Sequence, residues 1–333
     1  MERQGTQSDF RPHVRAFSAI LSLVTVFPVL ALAQGQPVEL AALKQLLPES
    51  THGTWALKAG PAGTLYVLNR SVPTSAVWVT DYSGSAGRMI VSTAENPELR
   101  TPRDLAVDRD GDVIVLNGDS QIKIFSREGK LLTSFQAERP HAVAVLSDGS
   151  LLASGFPKEH LISVYNREGK LIKELGEPVN VETKDPFDRR IMNMGSIVVD
   201  AEDNIYYVFR NLLTPIVRKY TADGNLAAEW HVESSGLDSV LAQATKRSQE
   251  GQGSGGHFAI AVLTSAAFDN DTKTLWIASG QHVLQLDNSG HTIRSLLLTA
   301  PDGRPIDALG LAVSGDSLCA AGPHGTFEFL KPR

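Results

Sequence analysis

The side chains best placed to do chemistry are a sparse set of cations and polar groups at matching offsets. Arg103 and Asp104 immediately precede the apolar segment Leu105-Ala-Val-Asp108, and His141 precedes Val143-Ala-Val-Leu146. Asn69, Arg70, Asn117, Asp119, Arg210, Asn211, His282 and His324 fall near the ends of comparable segments, with Arg189 and Arg190 in a longer connection. Guanidinium groups hold anionic or glycan-like ligands through charge-assisted hydrogen bonds, and Arg103, Asp104, His141, Asn117, Arg190 and Arg210 are the expected ligand contacts. A second chemistry uses His52, His141 and Asp104 as donors to a calcium or zinc ion serving a hydrolase or lyase. Each residue also has a structural role open to it: Arg103 can pair with Asp104, His141 can pack beside Pro140, and Asn69 and Asn117 can cap turns. No His-Glu-x-x-His, Gly-x-Ser-x-Gly, phosphate loop or cysteine pair occurs, so no catalytic residue is assigned.

The elements that must position these residues are repeats. Ile122-Lys-Ile-Phe-Ser-Arg-Glu-Gly-Lys-Leu131 and Ile162-Ser-Val-Tyr-Asn-Arg-Glu-Gly-Lys-Leu171 are near-copies, with looser ones ending at Gly84, Gly224 and Gly290. Each reads as strand, tight turn, strand. Upstream of each hairpin lies another strand pair, such as Ile197-Val-Val-Asp200 and Ile205-Tyr-Tyr-Val208, joined by a short polar turn. Several strands per unit at a period near forty to fifty residues predict a β-propeller. The expected fold is all-β, with six four-stranded antiparallel blades. The last unit, from Leu311 to Leu330, supplies three strands, and Pro37–Lys44 is expected to add the fourth and close the ring.

Arg11 and Arg15 precede an apolar run, Ala16–Leu32, that ends in Ala31-Leu-Ala33. This pattern predicts a signal peptide over residues 1–33, a mature domain over 34–333, and export to a periplasmic or extracellular site with no membrane span after cleavage. The formal charge of -6 becomes -7 once three arginines and two acids of that segment are removed, which argues against a nucleic-acid partner. Cys319 is the single cysteine, so no internal disulfide forms.

Pro102-Arg-Asp-Leu-Ala-Val-Asp-Arg-Asp-Gly-Asp-Val-Ile-Val115, followed by Ile122-Lys-Ile-Phe125 and Gly129, resembles the NHL-repeat family of six-bladed propellers. The resemblance implies the fold, which hosts many unrelated functions. Among relatives of similar fold, calcium-dependent lactonases need a carboxylate and asparagine set, and the amidating-enzyme lyases need channel histidines. Here the channel positions carry only Asp104, His52 and His141.

The turn glycines at 84, 129, 169, 224 and 290 are spaced by 45, 40, 55 and 66 residues. The extra length lies in two inter-blade connections, Gly176 to Met194 and Val232 to Leu263, which open on one face beside blade four. In the second, Leu237, Val240, Leu241 and Ala244 recur at helical spacing behind Ser235-Gly-Leu-Asp238, and Ser248–Gly256 reads as a flexible tether. The expected role is a binding module for a protein, small molecule or glycan on this face, with the metal-dependent enzyme as the alternative.

Overall fold

The computed structural model describes residues 36–47, 53–70, 74–82, 87–94, 99–183, 185–254 and 260–332. The expected signal segment and His52 lie outside them. One turn recurs through these residues and sets the local geometry. In nine turns the first residue donates its N–H to the fifth carbonyl, and the fourth donates back to the first, as at Ser126–Lys130, Asn166–Lys170 and Asp108–Asp112. The fourth position has positive φ, from 61° at Asp203 to 91° at Gly224. Glycine adopts this region without penalty, which explains the Glu-Gly and Asp-Gly pairs. Asp108, Asp200 and Asp287 reinforce the turn by accepting the N–H groups two and four residues on.

These hairpins build six sheets with their strands in sequence order. The first strands are Thr54–Ala59, Asp104–Val107, Ala142–Val145, Gly195–Val199, Ser265–Asp269 and Gly310–Ser314. They contact one another in a closed ring around a central channel, giving the six-bladed propeller. Six apolar clusters fill the six junctions between neighbouring blades. The close packing leaves no room for side chains at some turns: a Cβ on Gly129 would sit 1.9 Å from the carbonyl oxygen of Ile90 on the preceding blade.

The N-terminal segment closes the ring with a strand that begins at Lys44, where the segment suggested by the sequence, Pro37–Lys44, ends. Lys44–Leu47 pairs antiparallel with Gly325–Leu330 as the fourth strand of blade six. Val38–Ala41 instead pairs parallel with Thr292–Thr299 as a fifth strand on blade five. Burial explains the choice: Leu46 and Leu47 are 4% and 3% exposed in the junction between blades six and one, whereas Val38 stays 60% exposed. Lys44 adds a link to each neighbour, pairing with Glu328 at 3.2 Å and donating to the Tyr82 carbonyl at 2.6 Å.

Both insertions carry helices. Helix α1 (Pro186–Met192) is capped by Asp185, whose carboxylate accepts the Phe187 N–H at 2.7 Å, with Pro186 in the first turn. Helix α2 (Asp238–Ser254) follows a 3-10 turn, Ser235–Leu237, opened one residue before the expected cap by the Ser234 hydroxyl. Leu237, Val240, Leu241 and Ala244 pack against the junction of blades four and five. The helix then runs through most of the stretch expected as a tether, because once its first turns are anchored each further residue gains a hydrogen bond at little cost.

Leu47→Ala should lower stability to urea by about 2–4 kcal/mol, whereas Val38→Ala should change it by less than about 0.5 kcal/mol. Equal effects would place ring closure elsewhere.

Candidate functional site

The starts of the six first strands meet at one end of the channel, because every blade enters from the same face. They enclose a cavity of about 60 Å³ to which every blade contributes: Lys58 from blade one, Arg103 and Asp104 from blade two, His141 from blade three, Arg210 from blade four, Thr264 from blade five and Leu309 from blade six. Below it the first strands, rich in alanine and valine, surround a further stretch of about 220 Å³. Lys58 and Ala266 line both, so the two are consecutive parts of one channel.

The backbone fixes where the polar groups stand. The Arg103 N–H donates to Leu116 at 2.8 Å, and the His141 N–H to Ser154 at 2.6 Å. Arg210 is held from both insertions: its N–H donates to Met194, and its carbonyl accepts from Val262 at 2.7 Å and Leu263 at 3.1 Å. The Asp104 carboxylate accepts the Val143 N–H at 2.9 Å and so ties blade two to blade three. At the rim, the Arg70 guanidinium stacks 4.8 Å above the Trp55 ring.

The electrostatics are one-sided. Burial, followed by Arg210, Arg103 and Arg70, pulls His141 down to about 4, so its imidazole is neutral near pH 7. Burial pushes the Asp104 carboxyl above its ordinary value, against the pull of Lys58, of the Val143 and Leu105 N–H groups and of Arg210. Burial also lowers Arg210, while Asp104 and Tyr207 act in the other direction. The His141 Nδ1 is buried with no hydrogen-bond partner among the described residues.

The structure therefore brings together Arg103, Asp104, His141 and Arg210. It places the other expected contacts elsewhere. Asn117 braces its own turn, accepting the Arg100 N–H at 2.5 Å and donating to Asp119 at 2.9 Å. Arg190 lies on α1, and Arg189 donates to the Thr183 carbonyl at 3.3 Å. Asn211 donates to the Ile191 carbonyl at 2.7 Å, His282 packs beneath Gly236, His324 is exposed in the blade-six hairpin, and Asn69 is buried. The channel-lining cation that sequence reasoning missed is Lys58. Its signal was a lone cation in a first strand where the other blades carry alanine, valine and isoleucine.

Of the expected metal donors, His141 and Asp104 line the mouth, and His52 lies outside the described residues. Among the described residues no group of three or more His, Cys, Asp or Glu side chains converges, and the arginines and Lys58 around His141 and Asp104 would repel a cation.

No family model and no curated protein matches the sequence. Among solved structures, a chain from a nidogen/laminin complex matches over 81% of this chain and 88% of its own length, with a TM-score of 0.53 and 12% identity. At that identity the likeness is one of fold: this chain is a six-bladed propeller of the same general arrangement.

Because His141 sits near 4 when folded and near its ordinary 6.5 when unfolded, the unfolded chain binds the extra proton as pH falls between those values. Its contribution to stability is complete above pH 6.5 and is lost as pH drops towards 4. Asp104, shifted upward, works in the opposite sense across its own titration range. His141→Gln should therefore remove part of the acid-side fall in melting temperature, and an unchanged profile would show that His141 is not held neutral.

Proposed function

We propose that this chain is an exported binding propeller that takes a protein partner on the face carrying the two insertions. The observation that carries this reading is the difference between the two faces. On the face opposite the insertions, neighbouring blades are tied turn to turn. Arg167 reaches Asp108 at 2.5 Å and Asp112 at 2.7 Å, the Ser147 N–H donates to Asp203 at 2.8 Å, and the Ala201 N–H donates to Asn270 at 2.8 Å. Lys331 pairs with Asp269 at 2.7 Å in the same layer, with both side chains buried.

The insertion face instead presents apolar groups to solvent. Phe187 on α1 is 42% exposed and Leu213 in the neighbouring blade-four loop is 37% exposed, with Phe156 of blade three 5.3 Å from Phe187 between ring centroids. Aromatic groups beside cations, on loops held by a rigid frame, are the usual make-up of a protein-binding surface. The fold relative was itself solved as a complex of proteins. The basic, apolar and small-residue pattern over residues 1–33 supports export, with Gln34 as the first residue of the mature chain. The metal-dependent hydrolase or lyase is the weaker reading, since positive charge dominates the channel mouth.

A photoreactive amino acid at Phe187 or Leu213 should crosslink the partner in the exporting cell, while the same group at Glu168, on an opposite-face turn, should not. Crosslinks only from Glu168 would assign the wrong face. N-terminal sequencing of the exported protein should begin at Gln34, and an intact N-terminus would refute cleavage.

A further inference from the structure

We propose that the channel mouth is a binding site for one small oxyanion, a carboxylate or phosphate group, held by Lys58, Arg103 and Arg210. The inference deepens the binding reading above, since the mouth opens on the same face. Its basis is a charge imbalance. Lys58, Arg103 and Arg210 all line one cavity, and none has a side-chain hydrogen bond or ion pair with another described residue. The carboxylate among them, Asp104, accepts the Val143 N–H and offsets part of the charge of Lys58 and Arg210, which leaves positive charge in excess. Arg70 adds positive charge from the rim and acts on the same imidazole.

Placing three cations against one carboxylate in a partly desolvated cavity is unfavourable, and an unpaired polar group in such a place marks a missing partner. His141 points to the same ligand independently. Its neutral ring has a buried Nδ1 that no described residue satisfies, and in the Nδ1–H tautomer it donates a hydrogen bond to an anion oxygen.

Size and rigidity define the class. The cationic mouth encloses about 60 Å³, room for a single carboxylate or phosphate group, and the further stretch of about 220 Å³ below it is lined mostly by alanine, valine, isoleucine and leucine, which offer an anion or a sugar few polar partners. Arg210 is pinned through three backbone hydrogen bonds and Arg103 through one, while Lys58 lies within the first strand of blade one, paired with Tyr66. The backbone is thus already in place when an anion arrives, and only the side chains of Lys58, Arg103 and Arg210 remain to be ordered.

The test is titration of the whole propeller, at low ionic strength, with inorganic phosphate and separately with acetate. The expected result is saturable binding of one anion per chain, with the His141 pKa measured by NMR rising from its low value as the anion offsets the arginines. Arg210→Gln and Arg103→Gln should each weaken binding at least tenfold, whereas Arg190→Gln on α1 should leave it unchanged. Should either variant fail to fold, Lys58→Gln serves the same purpose. Absence of saturable binding, a His141 pKa that ignores the anion, or equal affinity in Arg190→Gln and the mouth variants would overturn the proposal. Phosphate that competes with crosslinking at Phe187 identifies a partner's carboxylate or phosphate as the natural source; crosslinking unaffected by saturating phosphate identifies a free anion. Titration uses the purified protein without any partner, so its failure is separable from failure of the docking face.

Discussion

The antiparallel pairing of Lys44–Leu47 with Gly325–Leu330 is the constraint on which the remaining architecture rests. Without it, blade six has three strands and an open edge, and the junction between blades six and one loses Leu46 and Leu47 from its small apolar cluster. Every other junction is made by neighbours in sequence, so this strand, together with the packing of Leu57, Leu65 and Val67 against Ala312, Cys319 and Ala321, turns a row of sheets into a ring. The C-terminal Lys331 fastens the same region to blade five through Asp269, and Arg294 holds the Pro332 carbonyl at 2.8 Å. Burial of that ion pair adds specificity of placement more than net stability.

Closure also creates the site. Lys58, Arg103, His141 and Arg210 come from four blades and have no local reason to approach one another. They meet because Arg103, His141 and Arg210 sit at strand ends around the mouth while Lys58 lines the channel from within the first strand of blade one, and a ring directs all four to one axis. Rigid sheets then hold like charges together at a cost that the packed junctions offset. The frame tolerates an electrostatic arrangement that a flexible surface would relax by moving its arginines into water.

The repeat made the fold legible: positive-φ glycines at regular intervals and alternating apolar strands specify hairpins, and the hairpins specify blades. The offset ahead of each first strand made much of the mouth legible too, since Arg103, Asp104, His141, Thr264 and Leu309 stand there in register. Arg210 was legible as the end of a second strand. Other features required three dimensions. Asn117 looks the same in sequence whether it braces a turn or meets a ligand, and only its bonds to Arg100 and Asp119 decide. Helix α1 is too short to show periodicity, although Asp185-Pro186 is a cap followed by a first-turn proline. The extent of α2 was hidden because its glycines and polar residues favour coil until tertiary contacts anchor Leu237 and Ala244. Lys58 was hidden inside an otherwise apolar strand.

Gln45 and His324 touch across 279 residues of sequence. A ribosome therefore releases the first strand of this partnership long before the last one exists. Blades two to four can form as synthesis proceeds, since their strands are contiguous, but the ring must wait for the final hairpin. During that interval Leu46 and Leu47 have no home and the unfinished array keeps an open edge, the state most prone to pair with another chain.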